Sequence, residues 1–228
     1  MGKDKLKRFA AVAEYKNVLE PTWEESMTQE YFLKGKWAKD FFKNDNPIVL
    51  ELACGGGEYT VGLARIHPDK NFLGIDIKGN RIWKGATIAL DQGLNNVGFL
   101  RTRIDFIENF FTENEISEIW ITFPDPQKQS NRARKRLTHT LFVDRYRKFL
   151  QKDGCVRLKT DSTFLYEFTQ NVIRDNKFKV NVDSPDVYGG LLPPQQESIL
   201  NRELNIRTFY EAKWLKEGKL IKYLEFNI

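Results

Sequence analysis

The sequence predicts an α/β fold: a mostly parallel, seven-stranded sheet with helices on both faces. Three observations predict it. Pro47 to Val61, PIVLELACGGGEYTV, reads as a short buried strand, a tight glycine turn and the start of a helix. Short apolar runs at Ile48–Leu52, Asn71–Ile75, Val97–Arg101, Glu118–Phe123 and Cys155–Thr160 alternate with helical segments, the pattern that gives parallel βαβ units. Acids stand at the carboxyl ends of these runs, at Asp76, Asp105, Asp125 and Asp161, where open α/β sheets bind their ligands.

Composition narrows the class. A chain of 228 residues can bury a full core in one domain. Its 41% hydrophobic and 29% charged residues fit a globular protein and argue against disorder. No run approaches the roughly 18 apolar residues of a membrane span, so no membrane partner is expected. Two cysteines, Cys54 and Cys155, are too few for a disulfide framework or a structural zinc site, which fits a reducing, cytoplasmic location. Neither they nor His67 and His139 form a metal-ligand cluster, so no metal is expected. The net charge of +5 and pI near 9.0 matter only where cations cluster.

Residues 1–43 read as a basic, helix-permissive extension, and 44–228 as one domain. Lys3, Lys5, Lys7 and Arg8 suggest a loose, solvated arm, and the aromatics from Tyr31 to Phe42 pack a leading helix onto the domain. In the glycine turn, Gly55 and Gly57 let the backbone approach a ligand. Thr60 replaces the last glycine of a dinucleotide fingerprint. Glu51, at the end of the first strand, would repel a pyrophosphate but suits a ligand with positive charge, such as the sulfonium and ammonium of S-adenosylmethionine. The bland alternative is a packing turn with a solvated Glu. A crossover helix, Tyr59–Ile66, leads to the second strand, whose Asp76 lies 19 residues beyond Gly57, the spacing of a ribose-binding acid. A helix Arg81–Gln92 precedes the third strand, and Asp105 after it either faces an adenine edge or caps a short helix over Phe106–Phe111.

The fourth strand runs into Pro124-Asp125-Pro126, two prolines that hold an acid rigidly at the sheet edge. Five cations follow within nine residues, Lys128, Arg132, Arg134, Lys135 and Arg136, and read as a phosphate-binding element. Beyond it come a helix Thr138–Leu150, the fifth strand with Asp161 at its tip capping a helix Ser162–Asp175, and a sixth strand, Phe178–Val182. A long loop from Ser184 to Gln196, a helix Thr208–Glu217 and a closing strand Leu220–Phe226 complete the chain.

Quoted in order, ELACGGGEYT, GIDIKGNR, FPDPQ, ARKRLT, LKTD and RTFYE resemble the motif series of the bacterial tRNA (guanine-N7-)-methyltransferases, and the series spans Glu51 to Glu211. The resemblance implies a Rossmann-like methyltransferase fold, S-adenosylmethionine as donor and a variable-loop guanosine of tRNA as acceptor. It implies that Glu51, Asp76, Asp105 and Asp125 line the donor site and that Asp125 is also the active-site acid. It places Asp161, Thr208, Phe209, Tyr210 and Glu211 on the substrate. The chain departs from that pattern at Gln127, where the family usually has Trp, at Gln129 in place of a substrate-contacting Lys, with Lys128 one position off, and at Ala53 in place of Gly. It implies no oligomeric state, so monomer and homodimer both stand.

The chemistry fits these residue types. Guanine N7 carries an exposed lone pair and no proton, so attack on a sulfonium methyl needs alignment rather than a general base. A carboxylate at Asp125 or Asp161 suits the base's N1 and N2 hydrogens. The competing readings are a small-molecule methyltransferase, which needs no cationic loop, a catalytically silent tRNA-binding subunit, which would not bind the donor, and a nicotinamide enzyme, which Glu51 disfavours.

Overall fold

Strands β1 (Val18–Leu19), β2 (Ile48–Leu52), β3 (Asn71–Asp76), β4 (Val97–Arg101), β5 (Ile116–Thr122), β6 (Leu150–Thr160), β7 (Lys179–Ser184) and β8 (Lys222–Asn227) form one sheet. The computed structural model describes residues 2–28, 30–189 and 197–228. The strand order is β1-β4-β3-β2-β5-β6-β8-β7. β1 to β6 pair in parallel, and β8 runs antiparallel between β6 and β7. Seven of these are the strands expected from the sequence, β2 and β4 with the expected bounds and the other five with shifted ends. The eighth, β1, has two residues, too few for any periodicity, and pairs Val18 with Phe99 and Leu19 with Leu100.

Alternation along β2 sends Ile48, Leu50 and Leu52 to one core and Val49 to the other. The first core packs Trp37, Phe110, Phe111, Tyr146, Phe149 and Leu165 against the sheet, from α5 (Thr140–Tyr146), α6 (Thr163–Asn176) and the segments between strands. The second packs Tyr59, Val61, Ile82, Ala86, Leu200 and Leu204 from α3 (Glu58–Ile66), α4 (Gly79–Asp91) and α7 (Glu197–Leu204). Both faces are therefore covered, as a parallel sheet requires.

The N-terminal segment corrects the expected loose arm. Its helix α1 (Gly2–Ala13) lies on α4 and buries Val12 completely. Tyr15 Oη lies 2.9 Å from Thr87 Oγ1, and Asn17 Nδ2 donates to the Ala86 carbonyl at 3.0 Å. After the short helix α2 (Trp23–Met27), the Trp37–Phe42 turn drives Trp37 into the core, where its indole N–H donates to the Phe110 carbonyl at 2.8 Å. Tyr31, Trp37, Phe41 and Phe42 thus pack onto the domain as expected, the last three through a turn with π-helical spacing, whereas Phe32 is exposed.

The sheet order reverses between β2 and β5, since β3 and β4 lie on one side and β6 on the other. That reversal opens a crevice at the carboxyl ends of the parallel strands. Registers Leu52↔Ile75, Leu52↔Ile121 and Thr122↔Lys159 bring those ends level, so the loops after β2, β3, β5 and β6 share one rim. Of the expected long loop Ser184–Gln196, residues 190–196 lie outside the described residues. Among the described residues no helix is long and apolar enough to cross a membrane.

Candidate active site

The glycine turn is set by backbone conformation. Ala53, Gly55 and Gly57 adopt φ values of 59°, 56° and 70°, the left-handed region that favours glycine. A Cβ on Gly57 would lie 2.7 Å from the Phe99 ring, so that glycine lets α3 start close to β4. A Cβ on Gly55 would meet nothing within 4 Å: its open side faces free space. Ala53 holds this left-handed conformation with a side chain, at a cost of about 1 to 2 kcal/mol.

Asp76, at the tip of β3, closes the turn. It accepts the Gly55 N–H at 3.0 Å on Oδ2 and the Lys78 N–H at 2.8 Å on Oδ1. A cavity of about 310 Å³ opens beside it, lined by Ala53, Asp76, Ile77, Thr102, Asp105 and Leu137 among others. Asp105 thus stands where the third strand's tip was expected to put it. It does not cap the following turn, which spans Ile104–Asn109 with Arg103 at the N-cap position. Its carboxylate pairs with Arg103 at 3.1 Å.

Glu51 departs from the rim position the sequence suggested. The pleat that sends Val49 toward α3 sends Glu51 the same way, and its carboxylate is buried beneath the glycine turn. Oε2 accepts the Thr60 N–H at 2.7 Å and the Thr60 hydroxyl, and Oε1 accepts the Thr122 hydroxyl at 2.5 Å. Burial raises its pKa to about 7, against the lowering effect of these hydrogen bonds. Thr60, the residue that broke the dinucleotide fingerprint, is therefore the partner that the buried acid requires.

A second cavity, about 770 Å³, adjoins the rim on the β5 and β6 side. Its walls bring together Asp125, Lys128, Asp161, Phe164, Tyr210, Trp214 and Lys219. Asp125 is exposed between its prolines, and its Oδ1 accepts the Gln127 N–H at 3.0 Å, while Oδ2 accepts no hydrogen bond from the described residues. Asp161 is freed for the cavity because Ser162, not Asp161 as expected, caps α6 by accepting the Leu165 N–H at 3.2 Å. Its carboxylate lies 3.5 Å from Lys219 Nζ.

The basic run divides. Lys128, Gln129, Arg132, Arg134 and Lys135 are exposed, and none of the four cations in this group pairs with a carboxylate among the described residues. Arg136 is buried instead, its guanidinium over the rings of Phe164 and Phe168. The Thr208–Glu211 motif divides as well. Thr208 caps α8 (Phe209–Lys216) by accepting the Glu211 N–H at 3.1 Å. Phe209 and Tyr210 are exposed, and Tyr210 reaches the cavity. Glu211 is fully buried and paired at 2.7 Å with Lys159, itself fully buried. The Tyr188 hydroxyl donates to Glu211 Oε1 at 2.7 Å, and Oε2 has no hydrogen-bond partner among the described residues. Burial lowers the Lys159 pKa to about 8 despite Glu211. Neither Lys159 nor Tyr188 was singled out from the sequence; the only signal for Lys159 was the LKTD motif. Trp214 and Lys219 were also missed, since nothing in the local pattern shows that the helix end folds back over the rim.

The chain matches a family model described as "Putative methyltransferase" over residues 45–224. It is similar to a solved 16S rRNA (adenine(1408)-N(1))-methyltransferase of Catenulisporales acidiphilia with its cosubstrate S-adenosylmethionine, at a TM-score of 0.52 and 13% identity, covering 84% of this chain and 89% of that one. That likeness is one of fold. It is 50% identical over 226 residues to the tRNA (guanine-N(7)-)-methyltransferase of Bacteroides fragilis, covering 99% of this chain and 86% of the relative. It is 49% identical to that of Christiangramia forsetii, covering 99% of this chain and 98% of the relative. With a parallel sheet, a glycine turn closed by Asp76 and a proline-bracketed Asp125 on the same rim, and with identity of this extent, the chain belongs to the tRNA (guanine-N(7)-)-methyltransferase family.

Proposed function

We propose that this chain transfers the methyl group of S-adenosylmethionine to N7 of a guanosine in the variable loop of tRNA, with residues 44–228 as the catalytic domain and 1–43 wrapped onto it. The observation that carries this reading is the pair of cavities sharing one rim, one lined by Ala53 at the start of the glycine turn and by Asp76, the other walled by Asp125, Asp161 and Lys128. The family's printed activity supports it.

When bound, S-adenosylmethionine supplies an electrophilic methyl on a positively charged sulfur. The residues fit that group: Gly55 leaves its side open, Asp76 offers its remaining lone pairs to ribose hydroxyls, and Asp105 stands at the far side of the cavity. Glu51 acts from below, where its buried carboxyl accepts the Thr60 N–H and so fixes the start of α3 under the glycine turn. Asp125, with Oδ2 free, accepts the N1 and N2 hydrogens of guanine and holds N7 toward the methyl; Asp161 is the second acceptor on the same wall. Lys128, Arg132 and Arg134 hold tRNA phosphates, with Gln129 beside them, and Tyr210 offers a stacking face. Thr208 and Glu211 position Phe209 and Tyr210 by anchoring α8.

The test is direct. Protein, S-adenosylmethionine and an unmodified tRNA transcript are incubated, and the digested RNA is read by mass spectrometry. The reading requires 7-methylguanosine in a fragment from the variable loop; its absence, or methyl transfer to another atom, overturns it.

A further inference from the structure

The acceptor cavity already contains a cation of its own. Gly218, at φ 72°, turns the chain back at the end of α8, and the Lys219 N–H donates to the Trp214 carbonyl at 3.0 Å. The turn lays Lys219 Nζ over the Trp214 ring, 3.3 Å from its centroid, while the same ammonium lies 3.5 Å from Asp161 and 3.6 Å from Glu217. An aromatic face next to a carboxylate is a slot selective for positive charge. It forms part of the wall that also carries Asp125 and Tyr210.

The reaction places a new positive charge in that cavity. A bond forms between N7 and the methyl carbon, the sulfur–methyl bond breaks, and its electron pair returns to sulfur. One unit of charge thus moves from the sulfonium to the guanine ring, and no proton is exchanged. A slot of this kind holds the product ring more tightly than the neutral substrate ring, which would slow release. Resting on the methyl-transfer reading above, we propose that Lys219 is a tethered competitor for the methylated base: its ammonium fills the Trp214–Asp161 slot between turnovers and displaces the cationic product. Glu217 gives the ammonium a second partner while a base occupies the slot.

The test compares the affinities of two RNAs, an unmodified tRNA transcript and the same transcript methylated by the parent protein, both with S-adenosylhomocysteine present. Lys219→Ala should raise the preference for the methylated RNA by about three- to tenfold over the parent, the range of a cation–aromatic contact. Lys219→Arg, which keeps a cation on the ring, should return the preference to the parent value. Adding Trp214→Leu to Lys219→Ala should abolish the gain. An unchanged preference in Lys219→Ala, or a gain that survives loss of Trp214, overturns the role of Lys219 while leaving methyl transfer intact. If the parent makes no 7-methylguanosine, there is no cationic product and both readings fall together. Because each value is a ratio within one variant, a general loss of tRNA affinity does not mimic the effect.

Discussion

Arg136 holds the main chain at Gln127: its Nε and Nη2 both donate to the Gln127 carbonyl, each at 3.1 Å. The guanidinium is packed against Phe164 and Phe168, with ring centroids 4.7 and 4.5 Å away, and is buried. Gln127 has a φ of 45°, and Phe123 at the other end of the proline segment has 47°. Asp125 therefore sits in a loop whose unfavourable backbone is pinned from one side by β6, through Phe123 N–H to the Lys159 carbonyl at 2.8 Å, and from the other by Arg136.

This separates two arginines that look alike in sequence. Arg136→Ala should lower kcat on tRNA about tenfold or more through loss of Asp125 alignment, yet leave the salt dependence of tRNA binding as in the parent. Arg134→Ala should do the reverse, weakening binding and reducing the slope of log affinity against log salt by about one. Filter binding over a range of salt, with initial rates, reads both.

Asp125→Asn removes the charge from an exposed acid that lines the acceptor cavity. The expected result is near-parental binding of S-adenosylhomocysteine by calorimetry and a loss of turnover of about a hundredfold or more. Parental turnover on tRNA would remove Asp125 from the mechanism.

Glu51 predicts a pH dependence whose sign follows from its raised pKa of about 7. In the unfolded chain the carboxyl loses its proton near pH 4.5, whereas the folded protein keeps it to about pH 7. Between these values the folded state binds more protons, so its stability falls as pH rises. Glu51→Gln keeps an acceptor for Thr60 or Thr122 and cannot ionise. Urea unfolding of the parent should therefore lose up to about 3 kcal/mol relative to Glu51→Gln between pH 4.5 and 7.5. A difference that stays flat with pH would show that Glu51 does not titrate in this range.

How much of this was legible in the sequence follows from what each signal measures. The parallel strands and their tip acids were readable because both report local pattern, short continuous apolar runs and spacing along the chain. β1 was not, because two residues carry no period, and the docking of α1 depends on α4, far along the chain. Glu51 was placed at the right strand end but on the wrong side of it, since its facing is decided by pleat phase and by Thr60 and Thr122. Arg136 and Lys219 show the same limit: a cation's role depends on which ring or carbonyl it meets, and that is a property of the fold.

Lys159 and Glu211 supply the last prediction. Both are fully buried and 2.7 Å apart, and Lys159 Nζ also donates to the Leu204 carbonyl at 2.6 Å and the Ile206 carbonyl at 3.3 Å. This one ammonium ties the tip of β6 to the end of α7, to the following loop and to the first turn of α8, which carries Tyr210 into the acceptor cavity. Lys159→Met leaves a buried carboxylate without its counter-charge, at a cost of about 3 to 5 kcal/mol. Lys159→Met with Glu211→Leu removes both charges and should recover most of that stability in urea unfolding. It should not recover activity, because the Ile206 carbonyl still lacks its donor, the Leu204 carbonyl keeps only the Tyr188 hydroxyl at 3.1 Å, and α8 loses its anchor to the rim. Full recovery of both stability and turnover in the double variant would reduce the pair to packing.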